Sequence, residues 1–225
     1  MFLRTVWLVL RKDLTVEVRS REIAYTTLFF AISCILVFAF ALVREGRPIE
    51  DGAAGILWIA IAFAGTLALG RTFERERQSE TLRALLMAPA DRPAIYVGKL
   101  LGIVALLTAA EIVLIPLVSL LFQAPFLDHP FWLAAIVVPG TLGFAAVGTL
   151  FAAMLVRARS RDVLLPVLLY PITVPVMIAG VRGTAALLQP QVEIGIVQFW
   201  VALLLFFDVV FVTLSLWTFE PLMTD

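Results

Sequence analysis

Two carboxylic acids interrupt long apolar stretches of this sequence, and they are the first candidates for chemistry. Glu111 stands near the middle of the third apolar stretch and Asp208 near the middle of the last. An ionisable group at the centre of a bilayer costs at least about 2.5 kcal/mol, so it marks a functional candidate. Three roles stay open from the sequence: a proton relay, a polar contact for substrate, or an interhelical hydrogen bond to Thr66, Thr108 or Thr141.

The remaining reactive side chains do not assemble a catalytic or metal site. His129 is the only histidine and Cys34 the only cysteine. Metal or haem-iron ligation by His129 is therefore a weak alternative to an ordinary loop residue. Gly98-Lys99 is followed by Leu100 and not by Ser or Thr, so the sequence has no phosphate-binding loop there. We expect no intrinsic catalytic site and no directly bound cofactor, and any ATP must be hydrolysed by a second chain.

The elements that carry these residues are predicted to be membrane-spanning helices. The composition is 62% hydrophobic and 15% charged, whereas a soluble domain is about 25% charged. Six stretches reach the roughly 20 apolar residues that cross a bilayer. The sequence predicts an all-α, polytopic membrane protein, with residues 1–225 forming a single transmembrane domain. The predicted spans are 23–43, 53–70, 100–122, 132–156, 163–181 and 196–219.

The positive charges are distributed unequally between the two sides of these spans. Only Arg44, Arg47 and Arg182, of 17 Lys and Arg residues, lie in the segments that follow spans 1, 3 and 5. Because basic residues accumulate on the cytoplasmic side, both termini and the two basic loops are predicted to be cytoplasmic. The segment 182–195 is predicted to be external, with a short interfacial piece around Leu187-Leu188.

The loop between spans 2 and 3, residues 71–92, combines good helix formers with an apolar ridge. A charged helix with such a ridge suits docking into the groove of a partner, and a plain solvated loop is the alternative. Pro89 ends this helix, and Asp91 and Pro93 begin the next one. The residues predicted to dock are Phe73, Glu74, Arg75, Glu76, Arg77, Leu82, Leu85 and Leu86.

The short loop between spans 4 and 5 offers a second contact with the same partner through Arg159, Arg161 and Asp162. Topology alone is the alternative explanation of its arginines. Ser160 is placed to cap span 5. Within the spans, Gly140, Gly143 and Gly148 predict close helix packing in span 4. Pro166, Pro171 and Pro175 predict that span 5 lies inside the bundle or lines a pathway.

The N-terminal residues 1–22 are predicted to form an amphipathic helix in the cytoplasmic interface. Its charges lie mostly off the apolar face, although Glu17 and Arg21 interrupt that face. The alternative is an elbow helix that moves with span 1. The apolar face is formed by Leu3, Val6, Trp7, Leu10, Leu14 and Val18.

Four stretches of the sequence are distinctive, and they begin with Arg11-Lys12-Asp13-Leu14, Phe73-Glu74-Arg75-Glu76-Arg77, Leu85-Leu86-Met87-Ala88-Pro89 and Ser160-Arg161-Asp162-Val163. Together they resemble the CcmB family, the permease subunit of the ABC-type haem exporter of cytochrome c maturation. The resemblance implies an ABC-2-like six-helix fold in the bacterial plasma (inner) membrane, with residues 71–92 as a coupling helix. It also implies an ATPase partner like CcmA that carries ATP-Mg, membrane partners like CcmC and CcmD, a haem chaperone like CcmE, and haem as a substrate of the complex.

Two other functions remain beside ATP-driven haem export or release of the haem-loaded chaperone. A proton-coupled secondary transporter would use Glu111 and Asp208. A non-transporting scaffold would only assemble the complex. The residues leave open whether this chain itself moves haem and how many copies the complex contains.

Overall fold

A computed structural model describes residues 2–44, 47–48, 52–72, 92–158 and 160–222. The described residues form seven α-helices, two single 3₁₀ turns at Phe126–Asp128 and Leu155–Arg157, and a two-residue antiparallel ribbon of β1 (Val43–Arg44) and β2 (Arg47–Pro48). The helices are α1 Phe2–Ser20, α2 Glu22–Ala41, α3 Ala53–Thr72, α4 Arg92–Phe122, α5 Pro130–Met154, α6 Arg161–Leu187 and α7 Ile194–Leu222.

The prediction of six spans is confirmed, because α2 to α7 are each long and apolar enough to cross a membrane. Inside a bilayer a helix is favoured because it satisfies every backbone polar group within the segment. Two boundaries differ from the expectation. α4 begins at Arg92, so the helix predicted near Pro93 and span 3 are one element. α6 runs to Leu187, so the piece predicted to be interfacial forms the last turn of this helix. The helix can continue this far because no proline follows Pro175 until Pro190.

The central helix of the bundle is α5, which packs against α3, α4, α6 and α7. The small residues that predicted close packing explain this position. A Cβ added at Gly148 would overlap Leu69 of α3, and one added at Gly143 would lie 2.6 Å from Asp208 of α7. Large side chains of the neighbouring helices therefore enter notches along α5, which is how helices approach closely in a membrane.

Trp58 of α3 fills the deepest of these notches. Its indole is fully buried between Gly140 of α5 and Gly180 of α6, where an added Cβ would overlap ring atoms. The indole Nε1 donates a hydrogen bond of 3.0 Å to Thr184 Oγ1 of α6. A buried indole usually has such a hydrogen-bond partner. The Trp58 side chain therefore connects α3, α5 and α6.

The proline-rich α6 lies nearer the periphery than the sequence predicted. Only a third of its span is buried, compared with 78% for α5. Pro171 and Pro175 are exposed, and the outward face between them carries Val174. The expectation that span 5 lies inside the bundle is therefore wrong, whereas the alternative that it lines a pathway stays a prediction. The small residues of α5 allow closer packing than the branched side chains that α6 exposes.

Candidate functional site

The predicted docking residues, Phe73 to Arg77 and Leu82, Leu85 and Leu86, lie outside the described residues. The structure does describe both helix ends that flank them. α3 ends at Thr72 and α4 begins at Arg92. The contacts made by these two ends determine which other helices are connected to the ends that flank the segment 73–91.

Arg161 of α6 holds the end of α3. Its Nη2 donates hydrogen bonds to the backbone oxygens of Leu69 (3.1 Å) and Gly70 (2.6 Å). These carbonyls belong to the last turn of α3, where oxygens have no partner within the helix and a positive charge is favourable. The sequence predicted Arg161 as a partner contact, but its side chain is only 2% exposed in the chain. Its described role is therefore internal.

The neighbours of Arg161 differ from it. Asp162 is exposed, and Arg159 lies outside the described residues. Ser160 does stand at the N-cap of α6, but its side chain makes no capping hydrogen bond. Its backbone oxygen instead accepts hydrogen bonds from the amides of Val163 and Leu164.

Arg71, in the last turn of α3, pairs with Glu22, in the first turn of α2. The Nη1–Oε1 distance is 2.7 Å. Both charges also suit the helix ends on which they lie. Because both side chains are about half exposed, the pair contributes little stability by itself, but it connects α3 to α2 at the same end of the bundle.

The beginning of α4 is tied to α1. Lys99 Nζ lies 3.0 Å from Asp13 Oδ2, and the Lys99 side chain is buried. One residue earlier, a Cβ at Gly98 would lie 2.7 Å from the Cβ of Val9. Glycine therefore lets α1 approach the backbone of α4, and the ion pair fixes the register of the two helices. α1 makes much more extensive contact with α4 than with α2, which the elbow hypothesis did not predict.

The joint between α1 and α2 uses the two residues that interrupted the apolar face. Arg21 adopts a left-handed conformation with φ 53°, which turns the chain between the helices. Glu17 Oε1 accepts a 2.7 Å hydrogen bond from the amide of Ala24, one of the amides that α2 cannot satisfy internally. In the sequence, the signal that could have predicted this cap is an acid, Glu17, placed shortly before an apolar run.

The two intramembrane carboxyl groups lie on different sides of α5. Thr141 Oγ1 donates a hydrogen bond to Glu111 Oε1, which confirms one of the partners that the sequence offered. Thr66 bonds Tyr170 instead, and Thr108 is exposed. Asp208 faces Gly143, is 5% exposed, and has no hydrogen-bond partner among the described residues.

His129 is exposed at the start of α5, where its backbone oxygen accepts a hydrogen bond from Leu133. Within the described part of the chain, no group of three or more His, Cys, Asp or Glu residues could hold a metal ion. The geometry around His129 therefore adds nothing to the weak ligand hypothesis.

Comparison with known proteins places this architecture in a family. The family model described as CcmB protein matches residues 4–221. A protein named heme exporter protein B from Rhodobacter capsulatus is 27% identical over 172 residues, covering 76% of this chain and 78% of the relative. Its Pseudomonas aeruginosa counterpart is 26% identical over 171 residues, covering 76% of each. The Escherichia coli K12 protein of that name is 33% identical over 97 residues, covering 43% of this chain and 44% of the relative. With six helices able to span a membrane and a family match over nearly its whole length, this chain belongs to the CcmB protein family.

Proposed function

We propose that this chain is the membrane permease subunit of an ATP-driven haem exporter in c-type cytochrome biogenesis. The observation that carries the proposal is the match to relatives named heme exporter protein B over three-quarters of the chain. Six spanning helices support a transport role. The distribution of basic residues supports a cytoplasmic location of the termini and of the segment 73–91, and the proposal assigns the chain to the bacterial plasma membrane.

In this proposal, the partner ATPase, a protein like CcmA, docks on Phe73–Arg77 and on Leu82, Leu85 and Leu86. Its ATP-Mg cycle displaces the segment 73–91, and the adjoining ends of α3 and α4 follow. Arg161 and Glu22 pass the motion of α3 to α6 and α2, while Lys99 passes the motion of α4 to α1. Arg159 and Asp162 provide the second contact with the ATPase, and Arg161 supports that loop from inside. Membrane partners like CcmC and CcmD and a haem chaperone like CcmE complete the complex, whose substrate is haem or the haem-loaded chaperone.

Mass spectrometry of the complex purified in mild detergent tests this assignment. We expect an ATPase to co-purify with this chain together with haem-handling membrane subunits, and Leu85→Asp to abolish recovery of the ATPase without affecting membrane insertion. Leu127→Asp, an exposed position near the other end of α4, is the matched control and should retain the ATPase. Undiminished ATPase recovery with Leu85→Asp would refute the docking assignment.

The observation that favours a second candidate, a proton-coupled transporter, is the buried Asp208 carboxyl, which has no hydrogen-bond partner among the described residues. Such a protein would transport under a pH gradient without an ATPase, and both Glu111→Gln and Asp208→Asn would stop it. The ATP-driven proposal instead expects a catalytically inactive ATPase partner to abolish c-type cytochrome formation. Full function with that inactive partner would favour a scaffold or a proton-driven mechanism.

A further inference from the structure

One face of α1 is not covered by the other residues that the structure describes. α1 rests on α4 through Val6 and Val9, which are buried. On the other side, Trp7 and Val18 are 60% and 69% exposed. A shallow groove of about 300 Å³ runs along this side, and we call it the α1 groove. Its lining residues are Trp7, Arg11, Leu14, Thr15, Val18 and Arg19.

The α1 groove combines an apolar floor with positive charge, and no acid is found among its described lining residues. α1 has only two acidic residues, Asp13 and Glu17. Asp13 is turned to Lys99 of α4, and Glu17 caps α2. Both carboxylates are therefore engaged on the side that faces the bundle, while Arg11 and Arg19 remain exposed along the groove. The charge of the uncovered face is consequently basic.

The place of α1 in the fold puts this groove beside the membrane surface. A single residue, Arg21, separates α1 from α2, and α2 is long and apolar enough to span the bilayer. A helix attached so closely to a span lies at the level of the lipid headgroups. An exposed indole is favoured at that level, and basic residues there attract anionic lipid.

We propose that the α1 groove is a binding site for anionic phospholipid. Acyl carbons lie against Trp7, Leu14 and Val18, and phosphate oxygens of the headgroup pair with the guanidinium groups of Arg11 and Arg19. Guanidinium binds phosphate in a two-pronged geometry that an ammonium cannot reproduce. Because α1 is joined to α4 by the Asp13–Lys99 pair, bound lipid holds α1 and the beginning of α4 at the membrane surface. This site does not depend on the proposed function.

Quenching of Trp7 fluorescence by brominated lipid tests the site in the full chain. The protein is placed in nanodiscs of phosphatidylcholine that contain an equal mole fraction of either brominated phosphatidylglycerol or brominated phosphatidylcholine. The spectrum of the Trp7→Phe variant is subtracted to isolate Trp7 from the other four tryptophans. We expect phosphatidylglycerol to quench Trp7 more strongly, with an apparent affinity that falls roughly five-fold for each arginine removed by Arg11→Gln or Arg19→Gln.

Arg182→Gln is the matched control, because it removes the same charge from an exposed position near the far end of α6. It should leave the preference for phosphatidylglycerol unchanged. Equal quenching by the two lipids would overturn the proposal, since Trp7 would then contact lipid without reading its headgroup. Absence of quenching would also overturn it, as expected if another protein or this chain covers the groove. Lysine variants at Arg11 and Arg19 separate geometry from charge: full retention of affinity would overturn the two-pronged contact.

Discussion

Asp13 of α1 and Lys99 of α4 form an ion pair in which the Oδ2–Nζ distance is 3.0 Å and the lysine is almost completely buried. The pair is the polar part of a contact whose apolar part is Val9 against Gly98. It joins the N-terminal helix to the helix that follows residues 73–91.

Removing one partner of this pair is expected to destabilise the protein. Asp13→Asn removes the carboxylate that lies 3.0 Å from the buried Lys99 ammonium, and removing one partner of a buried ion pair costs about 3 kcal/mol or more. Replacing both groups, with Asp13→Asn and Lys99→Met, should recover much of the loss, because the buried ammonium is removed together with the Asp13 carboxylate. Thermal unfolding of the full chain in detergent measures both effects. Equal stability of the single variant and the parent would contradict a tight α1–α4 contact.

Arg161 is expected to contribute far more to the stability of the protein than its exposed neighbour Asp162. Arg161→Gln removes a charged donor from the Leu69 and Gly70 oxygens at the end of α3, a loss of about 1.5–3 kcal/mol. Asp162→Asn is the control, and as an exposed change it should stay within about 0.5 kcal/mol. Hydrogen exchange of the last turn of α3 should accelerate only in Arg161→Gln, and unchanged exchange would contradict the cap.

The Trp58 notch predicts opposite effects for alanine at different glycines. Gly140→Ala and Gly180→Ala both place a methyl group against the buried indole, and such overpacking costs about 1–3 kcal/mol. Gly55→Ala in the same α3 helix as Trp58 meets nothing within 4 Å. It should be neutral or stabilising by about 0.5–1 kcal/mol, because alanine favours a helix. Thermal unfolding of the three variants compares them, and equal effects would contradict the notch.

The buried carboxyl of Asp208 is expected to lower the stability of the folded protein. Its carboxyl is buried against Gly143 without a described hydrogen-bond partner, and such burial is unfavourable. Asp208→Leu should therefore raise the unfolding temperature or leave it unchanged. Glu111→Leu should lower it, because the Thr141 hydroxyl would lose its acceptor. A lower unfolding temperature for Asp208→Leu would contradict this expectation.

Local patterns in the sequence were sufficient to predict the membrane-spanning helices and part of the candidate site. The apolar length of each span predicts the six long helices, since a bilayer sets that length. Gly140, Gly143 and Gly148 mark α5 as a closely packed helix, and Thr141 was one of three partners offered to Glu111. These inferences depend on residues near each other in the chain or on the thickness of the membrane.

The tertiary structure alone decided which distant residues meet. No local pattern distinguishes Arg161, which is buried under the end of α3, from Asp162, which is exposed. The pairing of Asp13 with Lys99 likewise depends on α1 lying on α4. A buried charge is stable only where folding supplies its partner, so the burial of these charges follows from how the helices pack and not from spacing along the chain.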